Sequence, residues 1–235
     1  MRPGGGALFR ATLRPVFVHA RDGLVRLVER RHGIRTAGVV ELDDLGVAGP
    51  DRVRYKPAPW LALRRALPPR MVGPHDVFCD LGSGLGRVVF QAARWYPFAR
   101  VIGVELAADL HRAAQANLDG ARRRLRCRDV ELVHSDVLDY PVPDDVNVVF
   151  LANPFTGRLF ATVVDRLLSS VDRRPRPLTI VYFNPVEHDR LMATGRVRLV
   201  RRVRGLRPGR DWSRSNATWV YAVLPGAPRS PGPAG

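Results

Sequence analysis

Val77-Phe78-Cys79-Asp80-Leu81-Gly82-Ser83-Gly84-Leu85-Gly86-Arg87 is a short apolar run that ends in an acid and then in three alternating glycines. Gly82, Gly84 and Gly86 can take positive φ and let backbone N–H groups approach a ligand with no Cβ in the way. Val88, Val89, Phe90, Ala92 and Ala93 follow at spacings suited to a helix packed on a sheet, ending near Trp95, Tyr96 and Pro97. Strand, glycine turn and helix in this order predict a nucleotide-cofactor site at the turn of a doubly wound α/β fold.

The next apolar run, Val101-Ile102-Gly103-Val104, closes on Glu105. Neighbouring parallel strands end side by side at one edge of the sheet, so an acid at this second tip reaches the ribose hydroxyls of a bound nucleotide. The glycines fall as G-x-G-x-G rather than the G-x-G-x-x-G of nicotinamide enzymes, and Asp80 stands two residues before the first of them. That carboxylate repels a pyrophosphate and attracts a sulfonium and an α-amino group. S-adenosyl-L-methionine has both cations and no phosphate.

With these residues in order, the sequence resembles the class I S-adenosylmethionine-dependent methyltransferases over roughly residues 75 to 224. Asp80 to Gly86 looks like the first motif of that family, Gly103-Val104-Glu105 like its ribose-binding acid, and Ser135-Asp136, after the run Val130 to Val133, like its adenine-side acid. The resemblance implies that Asp80, Gly82 and Gly84 border the methionine part of the cofactor, with Leu81, Ser83 and Gly86 also among its contacts. It implies Glu105 at the ribose, Leu106 beside the base, Ser135, Asp136 and Val137 at the adenine, and Asn153 nearby.

Catalysis needs little from the protein, because the donor methyl is already activated; the acceptor atom must be held in line and water excluded. Asn153, Pro154 and Phe155, which leave the run 146–152, are the catalytic candidates. They resemble the Asn-Pro-Pro-Tyr or Phe motif of amino-methylating enzymes without its second proline. Pro154 biases Asn153 toward an extended backbone, and the Asn153 amide oxygen is expected to orient an N–H. A second group, Tyr182, Asn184-Pro185, Glu187 and His188, follows the run 178–183. Glu187 or His188 is a candidate base, with the opening of the next helix as the alternative role. Tyr55, in a connection containing Lys56-Pro57, is expected to cap the site or plug a domain edge.

The fold expected is α/β, a doubly wound, mostly parallel seven-stranded sheet with an antiparallel last strand, plus an N-terminal helical extension. Strands are predicted at 76–80, 100–105, 129–134, 146–152, 178–183, 197–204 and 217–224, the last two as an edge hairpin around the loop Gly205 to Ser215. Residues 1–70 read as a helical cap segment, 71–224 as the cofactor-binding domain and 225–235 as a disordered Pro- and Gly-rich tail. Within 7–32 the helical spacing places Leu24, Leu27 and Val28 on the packed face.

The 235 residues carry a formal net charge of +16, and of the 38 basic residues all but Lys56 are arginine. Such a balance fits a nucleic-acid partner and equally fits the codon composition of a GC-rich genome. Arginines cluster at 122–128, 173–176 and 201–214, without interleaved aromatic residues in the first two clusters. Cys79 and Cys127 suggest neither a metal site nor a disulfide framework. With no run of about 20 apolar residues to span a membrane and no secretory core at the N-terminus, a cytoplasmic protein is expected. The methyl acceptor stays open among protein lysine, nucleic acid and small molecule. The alternative from another class is a non-catalytic protein of this fold that holds RNA or another anion through its arginines.

Overall fold

The computed structural model describes residues 14–205 and 217–225, with side chains from residue 23 onward. Residues 7–13 of the expected first helix, most of the 205–215 loop and the tail from 226 lie outside these residues. In chain order the elements are α1 (Arg14–His32), α2 (Ala62–Ala66), β1 (Val77–Leu81), α3 (Arg87–Trp95), β2 (Arg100–Glu105), α4 (Ala108–Ala121) and β3 (Asp129–His134). They continue as β4 (Val148–Leu151), α5 (Gly157–Arg173), β5 (Thr179–Phe183), α6 (His188–Ala193), β6 (Val197–Arg204) and β7 (Ala217–Val223).

One seven-stranded sheet runs in the order β3-β2-β1-β4-β5-β7-β6. The first five strands are mutually parallel. Only β7 is reversed, pairing antiparallel with β5 and β6, so the expected edge hairpin is present. Strand order reverses between β1 and β4, which opens a crevice beyond their C-terminal ends.

Side chains on β1 alternate with the period of two that a pleated strand imposes. Val77, Cys79 and Leu81 join Ile102, Val149, Phe160 and Leu167 in a core against α5, and Phe78 joins Val89, Phe90, Val148 and Phe150 in a core against α3. Asp80, in the same alternation, faces the α3 side. Burial on both faces explains why β4 and β5 read as unbroken apolar runs.

The N-terminal segment belongs to the α3-side core through Ile34, Ala58, Trp60 and Leu63. His32, at the end of α1, sits among Trp60, Phe90 and Trp95, with ring centroids 5.8, 5.3 and 6.1 Å away. The packed face of α1 differs from the expected one: Leu24 and Leu27 are 61% and 62% exposed. Val25, Val28, Glu29 and His32 face inward instead, the i, i+3, i+4, i+7 stripe of a helix. The cause is Glu29, an acid buried by an ion pair that apolar spacing alone does not register.

Among the described residues no helix is long and apolar enough to cross a membrane.

Candidate active site

Beyond the β1, β2 and β4 tips lies a cleft of about 850 Å³, its open mouth included. Its walls include Asp80 at the end of β1, Gly82 and Ser83 from the glycine turn, Glu105 at the end of β2 with Leu106 after it, Asp136 and Val137 after β3, and Asn153, Pro154 and Phe155 after β4. Leu81, Gly84, Gly86 and Ser135 do not line it. Leu81 points into the α5-side core and is fully buried, Gly86 packs against Ala114 of α4, and Ser135 is spent locally, its hydroxyl donating to the Asp136 carbonyl at 3.0 Å.

Two polar atoms in the cleft wall, Asp80 Oδ1 and Ser83 Oγ, are buried without a hydrogen-bond partner. Asp80 is only 2% exposed. Burial, and after it the neighbouring Glu105, raise its pKa well above the usual carboxylate range. Glu105 is also raised by burial, opposed by backbone N–H groups of Ala107, Gly84 and Leu106. Its Oε2 accepts from Gly84 N–H at 2.7 Å and its Oε1 from Ala107 N–H at 2.9 Å. Asp136 accepts through Oδ1 from Leu138 N–H at 2.9 Å.

A strap formed by residues 47–58 crosses the cleft, a feature that the sequence motifs do not announce. Its Val53 N–H donates to the Pro154 carbonyl at 3.0 Å, and Thr156 N–H donates to the Asp51 carbonyl at 2.7 Å. The Asp51 carboxylate accepts from Arg158 N–H at 2.8 Å, capping α5 from outside its own chain segment, because Thr156 at the N-cap makes no side-chain bond of its own. Arg52 reaches Asp136 Oδ2 at 2.5 Å. Tyr55 donates to the Thr36 carbonyl at 2.9 Å and lays its ring on the glycine turn.

This contact gives two of the glycines a reason beyond ligand access. A Cβ on Gly84 would stand 2.1 Å from Tyr55 Cε2, and one on Gly82 would stand 2.4 Å from Pro154 Cβ. Both residues also have positive φ, of 56° and 82°. Tyr55 thus packs its ring directly over the glycine turn.

Arg87, the first residue of α3, anchors the strap from below. It donates to Glu29 Oε1 at 2.7 Å, Thr36 Oγ1 at 2.7 Å and the Ala58 carbonyl at 3.0 Å. Its guanidinium lies 5.4 Å from the Trp60 ring centre.

Asn153 departs from expectation. Its φ is 56°, left-handed rather than extended, a conformation that asparagine tolerates better than most residues. Its Oδ1 accepts from the Tyr182 hydroxyl of β5 at 3.2 Å while the residue lines the cleft. Glu187 and His188 do not line the cleft. Glu187 accepts from Gly157 N–H at 3.0 Å and from Arg190 at 2.8 Å, and His188 Nδ1 lies 2.9 Å from the Tyr221 hydroxyl. They support the start of α5 and the end of the sheet, and as the N-cap and first residue of α6 they also open the next helix, the alternative role expected for them.

Among the described residues, two of the arginine clusters lie at opposite edges of the sheet. Residues 122–128 precede β3 at one edge of the sheet and Arg201, Arg202 and Arg204 lie on β6 at the other, a separation of roughly 29 Å across seven strands. Several have structural partners: Arg122 pairs with Asp119, Arg173 with Asp144, and Arg202 stacks over Trp219.

A family model described as Histone methylation protein DOT1 matches residues 65–173. Over 67 residues the chain is 36% identical to a protein-lysine N-methyltransferase of Saccharolobus islandicus (strain REY15A), covering 28% of this chain and 42% of that one. Over 54 residues it is 44% identical to the H3 lysine-79 specific histone-lysine N-methyltransferase of Dictyostelium discoideum, covering 23% of this chain and 3% of that one. The chain thus spans less than half the length of these curated relatives. Among solved structures, an RNA methyltransferase from Salinibacter ruber in complex with S-adenosyl-L-homocysteine aligns with 74% of this chain and 98% of its own, at 21% identity and a TM-score of 0.47. With its reversed β7, its acids at the tips of β1 and β2, and its match to the histone-methylation model, the chain has the fold of the class I S-adenosylmethionine-dependent methyltransferases.

Proposed function

We propose that the chain is an S-adenosyl-L-methionine-dependent methyltransferase whose acceptor is the side-chain amine of a protein lysine. The observation that carries the first half is the pair of buried, unpartnered acceptors at the glycine turn, Asp80 Oδ1 and Ser83 Oγ. A buried polar atom without a partner costs about 1–3 kcal/mol, and a ligand bearing an ammonium and a sulfonium relieves that cost at Asp80. Such a cation also draws the raised Asp80 pKa back down, so the carboxylate is charged when it is useful.

Glu105 keeps accepting capacity for ribose hydroxyls, because each of its oxygens has a second lone pair beyond the one used by Gly84 or Ala107. Asp136 and Val137 hold the base. When bound, the cofactor supplies a methyl group already activated for displacement. Pro154 and Phe155 wall the cleft, and the strap over it excludes water and fixes the direction of approach. Residues 71–224 then form the catalytic domain, with 1–70 as its cap and 225–235 as a tail.

For the acceptor, the description of the matching family model and the names of both curated relatives support lysine. The separation of the arginine clusters argues against a single nucleic-acid track. Two free, buried thiols at Cys79 and Cys127 support a reducing, cytoplasmic setting.

Calorimetric titration with S-adenosylmethionine and S-adenosylhomocysteine, with NAD as the control, tests the cofactor, and micromolar binding of the first two alone is expected. Transfer of labelled methyl to a protein mixture, compared with the same mixture after chemical blocking of its amines and with total RNA, tests the acceptor. Labelling that survives amine blocking, or that falls on RNA, overturns the lysine assignment.

A further inference from the structure

Arg52 spans the cleft like a bar. Its backbone is bridged to Phe155, after β4, and its guanidinium reaches Asp136, after β3. Between those anchors in the sheet lie β1 and β2, whose tips carry Asp80 and Glu105. Arg52 and Asp136 are both partly open to solvent, at 27% and 16% of their side-chain surface. The pair is therefore accessible from the cleft mouth rather than sealed in the core.

Both oxygens of Asp136 are engaged, Oδ1 by Leu138 N–H and Oδ2 by Arg52. An exocyclic amine of a purine that donates to this carboxylate must use a second lone pair beside a guanidinium already bound at Oδ2, or displace that guanidinium. A guanidinium donates through several N–H groups and carries full charge, so it outcompetes a neutral amine for one carboxylate oxygen.

We propose that Arg52 is an affinity-setting competitor of the cofactor: its ion pair with Asp136 sits on the adenine-side acceptor and opens when the base is bound. The inference rests on the cleft's being the cofactor site, as argued above. The strap itself stays in place over the cleft, since the residues flanking Arg52 cap α5 and pair with Pro154. A residue that merely lined the site would lower affinity when removed; a competitor raises it.

The test is calorimetric titration of wild-type and Arg52→Met chains with S-adenosylhomocysteine and with adenosine, at low and high salt, after thermal melts have shown that both are folded. Adenosine is uncharged, so salt acts on its binding mainly through the pair that must open. Expected is about fivefold tighter binding of both ligands by Arg52→Met, in line with a partly exposed ion pair. Binding of adenosine by the wild type should strengthen with salt while the variant's stays flat. Arg52→Lys, which keeps the charge, should bind as the wild type does. Equal or weaker binding by Arg52→Met, with clear binding by the wild type, overturns this inference and leaves the methyltransferase reading standing. Absence of binding by both chains overturns the methyltransferase reading and this inference with it.

Discussion

Asp80 and Arg87 stand at the two ends of the same glycine turn and are both buried, at 2% and 5% exposure, yet their surroundings treat them oppositely. Arg87 has three hydrogen-bonded partners from the N-terminal segment and an aromatic ring beside it. Asp80 has an oxygen with none. A buried charge that is fully paired reports architecture, whereas one left unpaired in a cleft wall reports a ligand. The turn thus divides the molecule into a side built to hold itself together and a side built to hold something else.

The largest effect should come from breaking the satisfied side. Arg87→Met leaves Glu29 buried without its cation and should cost about 3–5 kcal/mol in chemical denaturation, the range for stranding one member of a buried pair. Replacing Glu29 and Arg87 together by apolar residues should recover much of that loss. If the single variant melts as the wild type does, the clamp is not structural and the comparison fails.

Asp80→Asn probes the other side and should separate stability from binding. It should weaken S-adenosylmethionine binding by about 1.5–3 kcal/mol, as for a hydrogen bond to a charged group. Without ligand it should do the opposite and raise the melting temperature. Burial lifts the folded-state pKa of Asp80 above its ordinary 3.8, so over the range above that value the folded chain holds a proton that the unfolded chain has released. Stability therefore falls as pH rises through that range, and the asparagine variant should lose part of this slope. Melting curves from acid to neutral pH, with and without ligand, read both signs. A variant that is destabilised at every pH would place Asp80 on the architectural side.

The smallest effect is expected at the strap. Asp51→Ala removes the cap that it lends to α5 and should cost about 1 kcal/mol. Hydrogen exchange at Arg158 should speed up while Gly157, held by Glu187, and the sheet stay protected; unchanged exchange at Arg158 would mean that the strap closes without the cap.

The sheet and the glycine turn were legible because their information is local. β1, β2, β4 and β5 are apolar runs whose periodicity states their burial, and Asp80 and Glu105 stand at the ends of their strands with Asp136 just past β3. The strap was not legible, because its contacts join residues far apart in the chain: 84 positions separate Arg52 from Asp136 and 58 separate Arg87 from Glu29. The same blindness misplaced the inner face of α1, where Leu24 and Leu27 were expected inside and Glu29 is. At Asn153 the rule for residues before proline yielded to a side-chain bond with Tyr182, and the neighbouring Asn184, also before a proline, takes the same positive φ of 55°. Glu187 and His188 carried catalytic chemistry in their side chains, but only the folded chain shows that chemistry turned to holding α5 and Tyr221.

The contact of Tyr55 with Gly84 also bears on how descendants of this chain would diverge. A gene copy released from catalysis would be free to lose Asp80, whose burial without a partner weakens the protein, but would still be selected to keep Gly84 for as long as Tyr55 stays, and Gly82 for as long as Pro154 stays. In such a lineage the glycines would outlive the activity, and the acid beside them would be the more truthful record of whether methyl transfer survives.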